Sequence, residues 1–346
     1  MPDKMKTHSL LLLLCALIFG ACNKSEFLTE GDYFHLDHNG AKLPVWVKGN
    51  VDSGVFIITV HGGPGDSGHE FPLSKGFKYL EEDYAVVYWD QRFSGLSQGD
   101  PDDSNITPEL FIEDTEKVVE LIRHRYGDPT LFMLGHSWGG QLSAGYLGRD
   151  DHDQLFNGWI DLDGSIYGAL EAQIMKDWIL EQVPGKLNEE GSDKAFWQFV
   201  LDWYEAHPAP DNYTDQEPYF FADALDGYAY DWERTQELNP VPYHELIFSS
   251  MFSLAYYVSG LTTDQSWADD LNFTPELAQI TIPSLLLWGK NDGAVPAAVG
   301  DYVYEHLATP IADKRLVKID ECSHAPHYDQ PEIFYQQVVE FVEQYQ

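Results

Sequence analysis

A serine flanked by glycines could act as a nucleophile in this chain. Residues 135–139 read Gly-His-Ser-Trp-Gly, with Ser137 at the centre, and they follow the apolar run Leu131–Leu134. A serine on a sharp turn from a strand to a helix projects above its sheet, and the G-x-S-x-G pattern in that context is typical of a nucleophile elbow. The residues therefore predict nucleophilic catalysis at Ser137.

A serine hydroxyl is a weak nucleophile unless a base takes its proton and an acid orients that base. Asp292 and His324 each lie shortly after an apolar run, the first ending at Trp288 and the second at Ile319. The order serine, acid, histidine is the one expected for a nucleophile on such an elbow. We assign Ser137 as the nucleophile, His324 as the general base and then acid, and Asp292 as the residue that orients His324.

Two aspartates and one histidine are alternatives for these roles. Asp161 and Asp163 lie at the end of the apolar run after the elbow helix, and either could replace Asp292 as the acid. His327 could replace His324 as the base, although it follows a proline and is expected on the loop surface.

Acyl transfer also requires donors directed at the oxyanion that develops on the substrate carbonyl. The backbone N–H of Trp138, directly after the nucleophile, is the first predicted donor. The loop His61–Gly65, which reads His-Gly-Gly-Pro-Gly, should supply the second, and we assign it to the N–H of Gly63. Glycines let the backbone approach the substrate there. We expect His61 to hold the loop rather than to react.

Alternating strands and helices are expected to position these residues. The predicted strands are Val55–Val60, Tyr84–Trp89, Leu131–Leu134, Gly158–Leu162, Ser284–Trp288 and Leu316–Ile319. Strands that alternate with helices favour an α/β fold with a mostly parallel central sheet and helices on both faces. The alternation stops over residues 165–272, which hold 20 of the 49 Phe, Trp and Tyr residues. This segment is predicted to be an inserted helical cap, and residues 35–164 and 273–346 form the two parts of the core.

The first 22 residues have the composition of an export signal. Lys4 and Lys6 precede the apolar run Leu10–Phe19, which would span about 15 Å as a helix, too short for a hydrocarbon core of about 30 Å. The small residues before Cys22 resemble a bacterial lipobox. We expect residues 1–22 to be a lipoprotein-type signal peptide, with Cys22 as the lipidation site, and residues 23–34 to form a polar tether. A plain cleaved signal is the alternative. The expected location is the bacterial cell envelope, either facing the periplasm or anchored in the outer membrane.

The charge of the chain excludes several partners. It has 57 acidic and 20 basic side chains and a formal net charge of −37, so its surface repels nucleic acid and anionic lipid. Attachment to a membrane is therefore expected only through the N-terminal lipid. The spacing of His and Cys residues does not predict a metal site, and no cofactor is expected. The run Asp150–Asp153 is interpreted as a solvated turn, and Cys322 alone cannot form an intrachain disulfide after export.

The combination of motifs resembles the α/β-hydrolases, and within them the prolyl iminopeptidase (proline aminopeptidase) group. The resemblance rests on the loop His61–Gly65, the tetrapeptide Trp89–Arg92, the sequence Gly135–Gly140, Asp292 and His324. It implies an α/β-hydrolase fold and a serine peptidase that removes an N-terminal residue, often proline, from short peptides.

The resemblance also implies how such an enzyme binds its substrate. In that group, glutamates of the cap bind the free amino terminus, and Glu233, which follows Trp232, resembles one such position. The chain departs from the pattern at three places. Phe93 replaces a glycine, residues 248–258 contain no acidic residue where a second glutamate is expected, and His136 precedes the nucleophile, as in many esterases.

Three hypotheses follow for function. The first is an aminopeptidase that acts on short peptides, and the second is a carboxylesterase that acts on small esters; both proceed through an acyl-enzyme. The third is a binding module without catalysis, which normally lacks a member of the triad. Turnover that depends on a free substrate amine would distinguish the first two hypotheses. The sequence leaves the oligomeric state open.

Overall fold

The computed structural model describes residues 31–99, 106–210, 215, 217–240 and 271–346. Within these ranges, a sheet of nine strands forms the centre of the molecule. The strands in chain order are β1 (Gly31–His38), β2 (Ala41–Gly49), β3 (Val55–Val60), β4 (Ala85–Trp89), β5 (Gln98–Gly99), β6 (Thr130–His136), β7 (Gly158–Leu162), β8 (Ser284–Gly289) and β9 (Lys314–Ile319).

Most of the strands run parallel. Their spatial order is β1, β2, β4, β3, β6, β7, β8, β9, with the short β5 beside β2. Neighbouring strands from β4 to β9 are parallel, whereas β2 pairs antiparallel with β1, β4 and β5. All residues of β3, β4, β7 and β8 are buried, as expected for central strands that are covered on both faces. The prediction of a mostly parallel sheet is confirmed.

Helices cover both faces of this sheet. In chain order they are α1 (Lys75–Asp83), α2 (Pro108–Tyr126), α3 (Trp138–Leu147), α4 (Gly168–Asn188), α5 (Lys194–Ala206), α6 (Glu217–Asp223), α7 (Trp232–Leu238), α8 (Ala297–His306), α9 (Pro326–Asp329) and α10 (Pro331–Tyr345). Apolar side chains of α1 and α10 pack on one face of the sheet. Those of α2, α3 and α8 pack on the other, so the parallel strands are enclosed by two apolar layers.

The helices α4 to α6 form a third apolar cluster beside the sheet. The buried aromatic side chains of this cluster are Trp197, Trp203, Tyr204 and Phe221. They account for part of the aromatic content that predicts a cap over residues 165–272, and they serve as its core. Leu271 and Phe273 belong to the core that α2, α3 and α8 share with the sheet, so the chain has rejoined the core by this point.

The N-terminal edge of the sheet differs from the prediction. Residues 31–34, for which the sequence predicts a polar tether, belong to β1, and β1 pairs with β2 along its whole length. Exposed and half-buried residues alternate along β1, because it is an edge strand with only one face against the protein. Short apolar runs therefore do not reveal β1 or the hairpin that it forms with β2.

Both ends of α2 carry residues that favour the start and the end of a helix. The Thr107 hydroxyl accepts a hydrogen bond from the N–H of Leu110 at 3.3 Å, and Pro108 is the first residue of α2. Gly127 ends this helix with a φ of 74°, the left-handed conformation that glycine adopts readily.

The expected signal peptide and Cys22 lie outside the described residues. The rest of the predicted tether, residues 23–30, also lies outside them. None of the helices within the described ranges has both the length and the apolar content needed to cross a bilayer.

Candidate active site

The turn at Ser137 has a strained backbone and lies between a strand and a helix. Ser137 lies between β6 and α3 with φ 54° and ψ −125°, a backbone conformation that non-glycine residues rarely adopt. A Cβ on Gly139 would overlap the carbonyl oxygen of Val60, and a Cβ on Gly135 would overlap that of Gly139. The two glycines are therefore required by the close approach of α3 to β3 and β6, which holds the strained turn in place.

Asp292 and His324 form a hydrogen-bonded pair. Nδ1 of His324 lies 2.9 Å from Oδ2 of Asp292, whose other carboxylate oxygen accepts from the N–H groups of Ala294 and Val295, both at 2.9 Å. Because Nδ1 donates to the carboxylate, Nε2 of the neutral ring is left as the basic nitrogen. Burial acts to lower the pKa of His324, but the charge of Asp292 and its hydrogen bond outweigh that effect, so the pKa is raised.

The pair lies beside the elbow. Nε2 of His136, the residue before the nucleophile, lies 2.9 Å from the carbonyl oxygen of His324, and the two imidazole rings are 5.0 Å apart. Burial and the charge of His324 lower the pKa of His136 to about 3, so this ring is neutral and donates to that carbonyl. No hydrogen bond joins Ser137 to His324 within the described part of the chain. Catalytic hydrogen bonds are often long in an unliganded site and tighten when substrate binds.

Sheet topology explains this convergence. Ser137 follows β6, Asp292 follows β8 and His324 follows β9, and these strands are parallel members of one sheet. The carboxyl ends of parallel strands meet at one edge, where functional groups from distant parts of the chain gather.

Of the two alternative acids, Asp163 lies against Asp292. Its Oδ1 accepts the N–H of Gly289 at 2.8 Å, and its buried Oδ2 has no other donor within the described ranges. Burial and the charge of Asp292 hold the pKa of Asp163 well above its usual range. Ionisation of two adjacent buried carboxylates costs electrostatic free energy. Asp163 is therefore protonated and donates to Asp292. Asp161 is also buried, and a Cβ on Gly140 would approach its carboxylate to 2.6 Å, so it lies beneath α3.

The loop after β3 lies next to the nucleophile, as predicted for a donor of the oxyanion hole. A Cβ on Gly62 would be only 3.2 Å from the Cβ of Ser137. The N–H of Gly63 donates to no acceptor among the residues that the structure describes, and Trp138 begins α3, where backbone N–H groups point out of the helix start. Both predicted donors are therefore at the right end of the sheet.

His61 holds this loop. Its Nδ1 lies 2.8 Å from the carbonyl oxygen of Gly62, and its Nε2 accepts the N–H of Gln91 at 3.0 Å. The Gln91 amide donates to the carbonyl of His61 and accepts from the indole N–H of Trp138. Burial lowers the pKa of His61 to about 4, so the ring is neutral. Its structural role agrees with the expectation.

The neighbouring Asp-Gln-Arg sequence is also structural. Asp90 accepts hydrogen bonds from Ser67 and from the N–H groups of Gly68 and Leu96. Arg92 is fully buried and forms a bidentate ion pair with Asp114 at 2.7 and 2.8 Å. Phe93, which replaces a glycine of the related pattern, has a φ of 58°.

His327 is not on the loop surface, which corrects the expectation. It is buried in the short helix α9, and its ring lies 5.3 Å from that of Phe77 and 5.6 Å from that of Phe71. Burial lowers its pKa well below the usual value. The aromatic rings of Phe77 in α1 and Phe334 in α10 pack against His327, so it is enclosed while His324 bonds to Asp292.

The run Asp150–Asp153 is a turn only in its first half. Asp150 and Asp151 are exposed, whereas Asp153 is buried and its carboxylate accepts from the N–H and hydroxyl of Thr281, both at 2.9 Å. It therefore ties this turn to the segment before β8. In the described ranges, no group of three or more His, Cys, Asp and Glu side chains is placed to hold a metal ion. Cys322 is buried and unbridged.

A segment of the predicted cap contacts the loops that carry Asp292 and His324. The amide of Asn291 and the hydroxyl of Ser323 both donate to the carbonyl of Asp226, at 3.0 and 2.6 Å. The ring of Tyr228, two residues further on, lies 6.1 Å from that of His324. This short cap segment therefore forms one wall of the site. Glu233 lies in the first turn of α7 and is exposed, and residues 248–258 lie outside the described residues.

Sequence reasoning missed two carboxylates near His324. The charges of Asp66 and Glu171 both act to raise the pKa of His324. Asp66 directly follows the loop His61–Gly65, so its position after that motif was an available signal. Glu171 lies in the first turn of α4, and no local pattern connects it to the elbow.

Comparison with known proteins shows the family of the chain. A model of the alpha/beta hydrolase family matches residues 57–337. The chain is 24% identical over 311 residues to a probable aminopeptidase, YbaC, of Bacillus subtilis, covering 86% of this chain and 92% of that protein. A shorter match, 44% identical over 59 residues, is to a pimeloyl-[acyl-carrier protein] methyl ester esterase of Nitrosomonas europaea, covering 17% of this chain and 22% of that one. The crystal structure of a proline iminopeptidase of Mycobacterium smegmatis superposes with a TM-score of 0.62 at 19% identity, covering 91% of this chain and 98% of that chain.

Proposed function

Because the chain belongs to the alpha/beta hydrolase family, we propose that it is a serine hydrolase that removes the N-terminal residue, often proline, from short peptides. The observation that carries this proposal is the bond between His324 and Asp292 beside the strained elbow of Ser137. Similarity to proteins named as aminopeptidase and proline iminopeptidase supports the peptide substrate.

In the first half of the proposed reaction, Oγ of Ser137 attacks the carbonyl carbon of the first residue. Its proton passes to Nε2 of His324, and Asp292 stabilises the resulting imidazolium. The N–H groups of Gly63 and Trp138 stabilise the oxyanion, and each such donor contributes roughly 3–4 kcal/mol in comparable enzymes. The C–N bond then breaks, and His324 returns the proton to the leaving amine.

In the second half, water attacks the acyl-enzyme. His324 takes a proton from the water, the tetrahedral intermediate forms again, and the ester bond to Ser137 breaks as His324 returns the proton to Oγ. The released products are the free N-terminal residue and the shortened peptide. This chemistry needs no group beyond the side chains and backbone already described.

An esterase is the second candidate function. It is supported by the local similarity to a methyl ester esterase and by His136, which precedes the nucleophile as in many esterases. The same acyl-enzyme chemistry would serve both substrates, since only the leaving group differs. The exposed position of Glu233 also leaves recognition of an amine at that residue without support.

The experiment that tests the proposal compares prolyl-β-naphthylamide with its N-acetyl derivative. We expect hydrolysis of the free amine, loss of at least 100-fold in kcat/KM on acetylation, and labelling of Ser137 by a fluorophosphonate probe. Equal hydrolysis of both arylamides would contradict the aminopeptidase, and hydrolysis of short acyl esters alone would favour the esterase. A folded protein that neither labels nor turns over any substrate would favour a binding module.

We also propose that the protein is a lipoprotein of the bacterial cell envelope, anchored through Cys22. The support is the sequence of residues 1–22 alone. Metabolic labelling with a palmitate analogue should mark the wild-type protein and not Cys22→Ser. Labelling of both proteins, or of neither, would contradict the anchor.

A further inference from the structure

A carboxylate lies beside the nucleophile, on the loop that supplies the proposed oxyanion donor. Oδ2 of Asp66 is 3.1 Å from the position that a Cβ on Gly62 would occupy, and the Cβ of Ser137 is 3.2 Å from that same position. Oδ2 of Asp66 and the Cβ of Ser137 are therefore separated by no more than the sum of these two distances. His324 faces the same carboxylate, because the charge of Asp66 contributes to its raised pKa.

The Asp66 side chain has no hydrogen-bond donor among the described residues. Outside residues 1–30, the part of the chain that is not described contains no Lys or Arg that could pair with it. Glu171 is a useful contrast: it also influences His324, but it accepts hydrogen bonds from one hydroxyl and two backbone N–H groups. Asp66 thus differs from Glu171, whose carboxylate is held by hydrogen bonds within the fold.

An unpaired carboxylate at this position is unfavourable for the reaction. Its negative charge would oppose the oxyanion that develops a short distance away. A cation bound between the two would remove this conflict and satisfy the carboxylate at the same time. Among the described residues, the cationic group that acts on Asp66 is His324, which must be neutral to accept the serine proton, so a cation of the substrate would complete the site before the reaction begins.

We propose that Asp66 binds the ammonium group of the substrate's N-terminal residue and thereby determines specificity for a free amine. This inference rests on the proposed aminopeptidase function. The ammonium nitrogen is only two bonds, of about 1.5 Å each, from the carbonyl carbon that Ser137 attacks. A carboxylate close to Ser137 is therefore within reach of a charge-assisted hydrogen bond of about 2.7–2.9 Å. An N-acylated substrate would place a neutral, bulkier group there and lose this contact.

The neighbouring carboxyl group of Glu70 affects how negative charge is shared around Asp66. Glu70 is a neighbouring carboxyl, and burial together with the charges of Asp66 and Asp90 raises its pKa to about 8. The charge of Asp66 is one cause of this raised pKa, so ionised Asp66 favours a protonated Glu70 beside it. Burial also raises the pKa of Asp66, so binding of an ammonium should become stronger as the pH rises and Asp66 ionises.

The test measures binding and not turnover, so that it is independent of the reaction. Isothermal titration of the Ser137→Ala protein would compare prolinamide with cyclopentanecarboxamide, which differs in having CH₂ in place of the ring nitrogen. We expect prolinamide to bind at least 10-fold more tightly. In the Ser137→Ala, Asp66→Asn double variant, prolinamide binding should weaken to the level of the carbocycle, whose affinity should not change.

Three outcomes would overturn the proposal. These are equal binding of the two amides to Ser137→Ala, persistence of the preference in the Asp66→Asn double variant, and loss of the preference in Glu233→Gln instead. If Asp66→Asn does not fold, the ratio of the two affinities is measured from pH 5 to pH 8 in Ser137→Ala. The ratio should rise with pH, and a constant ratio would contradict the role of Asp66.

The same variants separate this proposal from the proposed function. In one outcome, the wild-type protein fails to hydrolyse prolyl-β-naphthylamide while Ser137→Ala still shows an amine preference that depends on Asp66. This result would refute the peptidase reaction alone. If the wild-type protein and the Asp66→Asn variant hydrolyse the arylamide with equal kcat/KM, the role of Asp66 alone is refuted.

Discussion

At the scale of single residues, the site depends on which carboxyl groups carry a proton. Asp292 accepts hydrogen bonds from His324 and from two backbone N–H groups in addition to the one from Asp163, whereas Asp163 accepts one, from the N–H of Gly289. The fold thereby separates two adjacent aspartates into an ionised acceptor and a protonated donor. Only the ionised one can stabilise an imidazolium.

The roles of the two aspartates can be separated by matched substitutions. Asp292→Asn should lower kcat by about 10⁴-fold, because an amide does not select the correct tautomer of His324. Asp163→Asn should lower kcat by less than about 10-fold, since an amide N–H can replace the donated proton. Steady-state kinetics on a short acyl ester would measure both. Equal losses would show that Asp163 acts as an ionised partner, contrary to the assignment.

The pH profile follows from the raised pKa of His324. Only the neutral ring can accept the serine proton, so activity is lost as the pH falls through this pKa, which lies above the ordinary value of 6.5. Asp66→Asn removes one of the charges that raise the pKa, so the acid limb of kcat/KM should move to lower pH. A neutral ester is the appropriate substrate, because its binding does not involve an amine. A limb that stays in place or moves to higher pH would contradict this account.

At the scale of elements, the elbow is held by close packing of α3 on the sheet. Gly139 leaves no room for a side chain against Val60, whereas a Cβ added to Gly185, in α4, would have no atom within 4 Å. The two glycines therefore represent opposite cases within helices, one required by packing and one not.

Gly139→Ala and Gly185→Ala make a matched pair. The first should destabilise the protein by about 3 kcal/mol or more, because α3 must move away from β3 and carry Ser137 with it. The second should stabilise the protein by about 0.5–1 kcal/mol, because alanine loses less backbone entropy than glycine in a helix. Urea unfolding would measure both free energies. Similar values for the two variants would refute the packing argument.

At the scale of the whole molecule, the net charge of −37 opposes the compact state. Screening by salt should weaken this repulsion, because the Debye length shortens to about 10 Å at 0.1 M and to about 3 Å at 1 M. We expect the Tm to rise by about 3 °C or more between 10 mM and 0.5 M NaCl at pH 7.5. The rise should become smaller as the pH approaches the sequence pI of about 4.4. An unchanged Tm would show that the acidic side chains are already well separated or paired.

Much of the fold, and the candidates for the site, could be predicted from local patterns. The elbow requires small residues on both sides of Ser137, and the buried parallel strands require continuous apolar runs, so both leave a signal in consecutive residues. The edge strand β1 was missed because only one of its faces is covered, and its polar residues interrupt the apolar pattern. The prediction that His327 lies on the loop surface was wrong, because its burial depends on side chains from α1 and α10.

The amino-acid sequence by itself was enough to predict Ser137, Asp292 and His324 as candidates, since each follows a strand whose end lies at the same edge of a parallel sheet. Only the tertiary structure decided that Asp163 lies against Asp292 and that Asp66 lies near Ser137 with no hydrogen-bond donor from the part of the chain that the structure describes. These relations depend on distances between residues far apart in the chain or on the path of a loop. Such distances are set by the register of the strands and the packing of the helices, and no run of neighbouring residues encodes them.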